Sequence, residues 1–201
     1  VNTPPEQSIN MELGARIDSE DKRLSTRFAL FRTTKLHERN TDPLVNLTTL
    51  SGRRHVAGFE MDVAGRIGTR WEVYASYMWL PVAKIDVPVT GGETGRPSLP
   101  PKHTGTLWAT YKLDSQWRLG AGLNLRSSQT PNRTPGWSVP GYATVEAMAD
   151  SAPAVAALAW DLTLKANISN LSNRLYADQL YSGHYVPGAG RTVQLTASVK
   201  F

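Results

Sequence analysis

The sequence predicts an all-β fold, an antiparallel β-barrel of the membrane-spanning kind. Three observations lead there: long runs in which apolar and polar residues strictly alternate, a rhythm of short turns and long loops, and tryptophans that recur at the starts of alternate strands.

The alternation is plain from the first element. Ile9, Met11, Leu13, Ala15 and Ile17 share one face, and Asn10, Glu12, Gly14, Arg16 and Asp18 the other. Arg23–Thr33, Arg54–Gly65, Trp71–Trp79 and His103–Leu113 follow the same period with exceptions. Trp117, Leu119, Ala121, Leu123 and Leu125 then alternate cleanly with Arg118, Gly120, Gly122, Asn124 and Arg126. Pro140–Asp150 is less regular. Trp160–Ser169 and the closing run, with Val193, Leu195, Ala197, Val199 and Phe201 on one face, are regular again. A period of two is the mark of a strand with two unlike faces. The count is about nine strands. Soluble strands usually run to about five or six residues, whereas about nine to eleven cross a bilayer at a tilt near 45°.

Short turns are expected at Ser19–Lys22, Gly65–Arg70, Asp114–Ser115 and Ser151–Ala156. Long loops are expected at Glu38–Gly52, Asp86–Pro101, Ser128–Ser138 and Ser182–Gly190. Short turns at one end and long loops at the other is the layout of an outer-membrane barrel. Trp71, Trp117 and Trp160 each open a strand after a short turn, at spacings of 46 and 43 residues, and Leu24 stands 47 residues before the first. A propeller also repeats at such a period, but each blade needs four strands and this repeat holds two. In a barrel these tryptophans form the aromatic girdle at one membrane interface. Alternation alone fits a soluble sandwich equally well. Strand length, loop asymmetry and the tryptophan register favour the membrane.

Composition agrees. The chain has 201 residues, 40% apolar and 19% charged, with 16 Gly and 13 Pro. Mean hydropathy is −0.33, and the longest apolar run, Ala152–Trp160, is far below the ~18 residues of a transmembrane helix. Cysteine is absent, which excludes disulfides and thiolate chemistry. The net charge of +5 suits an anionic partner, but Lys and Arg are scattered and form no nucleic-acid-binding run. The start, Val1-Asn2-Thr3-Pro4-Pro5-Glu6, does not read as a basic and apolar leader, so the expectation is that either processing removed one or the chain is a piece of something longer. If the last strand descends to the periplasm, so does Ile9–Asp18, and Val1 falls on the extracellular side. Nine is an odd count, and an open edge is not tolerated in lipid. Further strands before Val1 are therefore expected.

Ordered sequence marks extend this reading. They are Pro5-Glu6-Gln7-Ser8 followed by Glu12-Leu13-Gly14; Arg39-Asn40-Thr41-Asp42-Pro43; Gly52-Arg53-Arg54 through Gly58-Phe59-Glu60; Pro101-Lys102-His103 with Leu107-Trp108 and Tyr111; Val139-Pro140-Gly141-Tyr142; Asn167-Ile168-Ser169-Asn170-Leu171 through Tyr176; and Pro187-Gly188-Ala189-Gly190-Arg191-Thr192 before the terminal Phe201. In this series the chain resembles the C-terminal barrel of TonB-dependent outer-membrane receptors for ferric siderophores. The Arg39–Pro43 loop is most similar to receptors for catecholate-type chelates. The resemblance implies residues 1–201 as about nine C-terminal strands of a barrel of about 22 strands with a plugged lumen. It implies that the plug and the earlier strands lie outside this chain. It further implies a receptor in the bacterial outer membrane, energised through TonB by way of the missing N-terminal region, inserted by the barrel-assembly machinery and surrounded by lipid and lipopolysaccharide. Phe201 would then be part of the assembly signal.

No catalytic constellation is legible, so no enzyme is expected. His37, His55, His103 and His184 lack metal-ligand spacing, and no P-loop or nucleophile elbow occurs. No cofactor is expected; iron enters only inside the chelate. Ferric siderophores are often anionic and aromatic, which suits guanidinium, ammonium and aromatic groups near the long loops. Lys35, Arg39, Arg53, Arg54, Arg126, Arg133, Trp137, His184 and Tyr185 are the candidates. Arg53 and Arg54 lead, being adjacent at the mouth end of a strand, with at least one guanidinium expected to face the vestibule. The plain alternative for each is a solvated loop residue or a contact with lipopolysaccharide phosphate. The competing functions are a truncated, transport-incompetent barrel fragment and, further off, a small barrel enzyme or adhesin.

Overall fold

A computed structural model describes residues 5–37, 39–41, 48–50, 52–86, 95–131, 134, 136–152 and 161–200. Nine long strands form one antiparallel sheet: β1 (Gln7–Asp18), β2 (Leu24–Leu36), β5 (Arg53–Ile67), β6 (Trp71–Ile85), β7 (His103–Lys112), β8 (Trp117–Arg126), β9 (Tyr142–Ser151), β10 (Asp161–Ser169) and β13 (Thr192–Lys200). Two small hairpins stand in the long loops, β3 (Arg39–Thr41) with β4 (Thr48–Leu50) and β11 (Ala177–Leu180) with β12 (Tyr185–Pro187). The nine strands lie side by side in chain order. Neighbours joined by a hairpin need no crossover, so local turns can fix the whole topology.

The turns at one end are tight. Between β1 and β2, Ser19 N donates to Leu24 O at 2.8 Å and the Ser19 hydroxyl donates to Asp21 Oδ1 at 2.6 Å. Between β5 and β6, Gly68 takes φ +62°, the left-handed region that glycine enters without a Cβ clash. Between β7 and β8, Asp114 Oδ1 accepts the backbone N–H groups of Gln116 and Trp117, each at 2.8 Å. Leu24, Trp71 and Trp117 open β2, β6 and β8 as the repeat predicts; Trp160 lies outside the described residues, as does most of the 151–156 turn.

Register separates two faces. One row runs Leu13, Leu30, Phe59 and Trp79; another runs Ala75, Leu107 and Leu123. Leu13, Leu30, Trp79 and Leu107 of these rows stand exposed, Leu13 at 75%, and Phe59, Ala75 and Leu123 are half-buried. Among the described residues no second sheet covers them. This is the observation that separates the barrel wall from a sandwich, whose apolar face would be closed by its partner sheet. The opposite face is polar and better covered, with Ala29, Ala83, Thr110, Thr144, Met148 and Asp150 buried there. It carries the ion pairs Arg27–Asp62 at 3.2 Å and Arg118–Asp150 at 2.7 Å, and the Asn124 amide donates to Glu146 at 2.9 Å. Charges and amides satisfied along one face, with bare leucines on the other, fit a lumen and a hydrocarbon respectively.

Trp71 and Trp79 both point outward on β6. Eight residue steps at ~3.3 Å span roughly 26 Å of strand, about 20 Å of height at a ~40° tilt. That is close to the apolar band of an outer-membrane barrel, ~25 Å.

One irregularity shapes the mouth. Ala57 pairs with Val82 but Phe59 pairs with Trp79, so β6 holds one residue more than β5 across this step. The excess falls at Leu80-Pro81. Opposite it stands Gly58, where a Cβ would lie 2.5 Å from Trp79 O and 2.9 Å from the Phe31 ring. A proline within a strand is tolerated at such a bulge. Beyond it the parity of β6 reverses, and Val82 and Lys84 share the outer face with Ala57 and His55.

Candidate functional site

The long loops gather at the end where β2 and β6 finish and β5, β7 and β13 begin. On the inner face there, Lys35 stands directly across from Arg54. The Lys35 ammonium also lies 3.6 Å from Glu6 Oε2. Further round the wall Arg126 closes β8 on the inner face, opposite Tyr142. Its guanidinium carbon sits 5.8 Å from the Tyr142 ring centroid, and its Nη1 donates to Asp178 O at 3.3 Å. Tyr142 in turn packs on Tyr176, centroids 4.2 Å apart. A cation over one phenol ring, with a second ring packed on the first, is a surface that accepts both anionic charge and aromatic faces.

The last long loop is held by asparagines. Asn170, 4% exposed and at φ +50°, donates from Nδ2 to Arg174 O at 2.8 Å and to Ala189 O at 2.9 Å, while its Oδ1 accepts Arg174 N at 2.8 Å. Asn173 Oδ1 accepts Arg191 N at 2.9 Å. Asparagine suits both jobs, since it enters the left-handed region readily and brings donor and acceptor together. The tip of that loop is aromatic. His184 stacks on Tyr181 at 4.9 Å and 7°, and Tyr185 stands exposed at the start of β12. Trp137, 72% exposed, projects from the β8–β9 loop.

The adjacent arginines part company. Arg53 lies on the outer face, where its Nε is 3.4 Å from Asp86 Oδ2. His55 Nδ1 donates to that same oxygen at 2.8 Å. The His55 hydrogen bond, reinforced by the charges of Arg53 and Lys84, holds the Asp86 carboxyl below the usual carboxylate range. Arg54 is the member of the pair on the inner face. Arg39 sits in the β3–β4 hairpin, and Arg133 and Phe201 lie outside the described residues. Sequence reasoning missed the Tyr142–Tyr176 platform and Tyr181. The alternation of β8 and β9 would have placed Tyr142 beside Arg126, but Tyr176 reaches it only through the fold of the loop. Among the described residues no group of three His, Asp or Glu could hold a metal ion.

At the opposite end of the inner face a second network runs Arg66–Glu72–Arg118–Asp150, with links of 3.0, 3.6 and 2.7 Å. It ties β5, β6, β8 and β9 across the intervening β7. Partly solvated pairs of this kind contribute about 0–1 kcal/mol each, so the network fixes wall geometry more than it stabilises.

Residues 2–171 match the family model described as TonB dependent receptor-like, beta-barrel. A probable TonB-dependent receptor, BfrD of Bordetella pertussis, is 33% identical over 98% of this chain and 27% of its own length. The solved structure of the siderophore receptor PiuA from Acinetobacter baumannii aligns with a TM-score of 0.84 at 29% identity, over 96% of this chain and 28% of that one. The closed form of the ferric-catecholate import receptor Fiu from E. coli K12 aligns with a TM-score of 0.80 at 28% identity, over 96% and 27%. The chain thus spans little more than a quarter of the relatives it matches.

Proposed function

This chain belongs to the TonB-dependent receptor-like β-barrel family of the outer membrane, and on that footing we propose that it forms the C-terminal wall of a receptor that takes up ferric siderophores. The complete receptor would supply the earlier strands, a plug and the contact with TonB, and the barrel-assembly machinery would insert it. The iron chelate is the cargo; no resident cofactor and no catalytic step are assigned. The observation that carries the proposal is the inner-face platform at the long-loop end, Arg126 over Tyr142 with Tyr176 packed on that ring. Its chemistry suits an anionic, aromatic chelate, a catecholate above all, and the catecholate receptor Fiu is among the relatives. Arg54, Lys35 and the loop aromatics Trp137, Tyr181, His184 and Tyr185 extend that surface.

The test is uptake of radioactive iron by iron-starved cells that carry or lack the complete receptor. Receptor-dependent and TonB-dependent uptake of a catecholate chelate supports the proposal; no uptake of any chelate by an abundant, folded receptor supports the transport-incompetent reading. Changing Arg54 and Arg126 to Ala together should weaken binding of an anionic chelate by about 1–3 kcal/mol, the scale of charged hydrogen bonds. The loss should shrink at high ionic strength. Arg53→Ala, on the outer face, should leave affinity unchanged.

A further inference from the structure

At the short-turn end the inner face holds a cavity of about 540 Å³, within the size range of small-molecule sites. Thr110 lines it, only 7% exposed, and its hydroxyl finds no hydrogen-bond partner among the described residues. A buried hydroxyl left unpaired is costly, and a ligand that reaches it removes the cost. Charge is the second feature. Glu72 is held by Arg66 at 3.0 Å and Asp150 by Arg118 at 2.7 Å, while Asp114 Oδ1 accepts the amides of the β7–β8 turn. Arg23 pairs with Asp21 at 3.5 Å. Arg70 donates to the Tyr111 hydroxyl at 3.1 Å. Lys112, directly across from Arg118, has no ion pair among the described residues. The cavity is thus left with one positive charge in excess, at Lys112. Neighbouring segments do not cancel it. Residues 153–160 contain no charged side chain, and β10 and the first turn each bring one charge of either sign, Asp161 with Lys165 and Glu20 with Lys22.

The third feature is an aromatic plate. On β7 just above Thr110, Trp108 lies against β8. A Cβ on Gly122 would run into its ring, and one on Gly120 would stand 3.1 Å from the ring and 3.3 Å from Thr110 Cγ2. The two glycines therefore seat the indole flat on the wall at the border of the cavity, with its other face to the lumen. The mouth shows the same pairing of guanidinium and ring in Arg126 and Tyr142. Arg118 and Arg126 share the inner face of β8, eight steps apart, about 20 Å in height.

We propose that this cavity is an exit site, which takes the anionic, aromatic chelate after it has passed the mouth and holds it before release on the periplasmic side. The inference rests on the uptake reading above. A catecholate ring lies on Trp108 while its oxygens meet the Lys112 ammonium and accept a hydrogen bond from the Thr110 hydroxyl. One free ammonium with carboxylates close by binds an anion less tightly than the mouth does, which suits a site that must let its cargo go.

The test is equilibrium ultrafiltration of the complete receptor, purified in detergent so that both ends meet solution, with a hexadentate tris-catecholate complex of radioactive iron(III). The wild-type receptor should bind two chelates, the second about tenfold more weakly than the first. Lys112→Gln, Thr110→Val and Trp108→Leu, made singly, should each weaken the second event about five- to tenfold, the scale of one charged hydrogen bond or one stacked ring, and leave the first unchanged. Lys22→Gln, equal in charge and at the same end but outside the cavity, should alter neither. Changing Arg54 and Arg126 to Ala together should weaken the first event alone. Inorganic phosphate at the chelate's concentration should displace nothing. A wild-type receptor that binds a single chelate, sensitive to Arg54 and Arg126, would overturn the exit site and leave the uptake reading standing; one that binds none would overturn both. A second event that Lys112→Gln and Thr110→Val leave untouched would also overturn the exit site, as would its displacement by phosphate, which marks a general anion site.

Discussion

Leu107→Arg tests the assignment of the two faces most directly. Leu107 lies opposite Ala75, midway along β6 between Trp71 and Trp79, and points outward with 47% of its surface exposed in the sheet. Lipid covers that remaining half, which is worth about 1 kcal/mol of a leucine's full transfer energy. An arginine at the bilayer midplane costs a further ~2–4 kcal/mol. The substitution should therefore destabilise the receptor by roughly 3–5 kcal/mol. Two controls set the scale. Ser76→Arg sits one residue from Ala75 on the inner face, opposite Asp62 and Thr106, and should cost under about 1 kcal/mol because a carboxylate and water are at hand. Leu119→Arg sits in the outward row of Trp71 and Tyr111, at the interface, where the depth penalty falls to about 0–1 kcal/mol. The assay is equilibrium urea unfolding of the complete receptor in lipid vesicles, followed by tryptophan fluorescence. Equal shifts for Leu107→Arg and Ser76→Arg would refute the claim that the apolar face meets hydrocarbon.

Other expectations follow from single contacts. Asn170→Ala removes three hydrogen bonds and leaves a non-glycine residue at φ +50°, so the 170–191 loop should lose about 2–4 kcal/mol of local stability; limited proteolysis there should accelerate while receptor abundance holds. Gly58→Ala drives a Cβ against Trp79 O and the Phe31 ring, an overpacking worth about 1–3 kcal/mol that a lowered unfolding midpoint would register. The Asp114 carboxyl is held below its usual value by the N–H groups of Gln116 and Trp117. A lowered value means the contribution is present above the ordinary carboxylate pKa of about 3.9 and is lost as pH falls through the folded-state value. Acidification below about pH 4 should thus loosen the β7–β8 turn in hydrogen exchange of Gln116 and Trp117, and Asp114→Ala should abolish that pH response.

The division between what was legible and what was not follows the range of each signal. A period of two is a local property: each residue's side is set by its neighbours in sequence, so the nine strands, their two faces and the rhythm of turns and loops could be read from the chain alone. The tryptophan starts of β6 and β8 were legible for the same reason. The marks of the receptor family, spread along the chain, carried the functional reading. Other features depended on contacts between distant segments. The strand read as ending at Trp79 runs on to Ile85, because the alternation breaks at Leu80-Pro81 while pairing with β5 continues. That bulge exists because Gly58, more than twenty residues earlier, leaves room across the ladder. It reverses parity, and so brings Lys84 out beside Arg53. The hairpins inside the long loops, and the Asn170 clasp that brings Tyr176 to Tyr142, likewise join residues that no local period relates. The sequence by itself determined strand, face and turn, since those are decided within a few residues. Only the tertiary structure decided which charges share a surface, since register across strands and the folding of loops are settled between partners far apart in the chain.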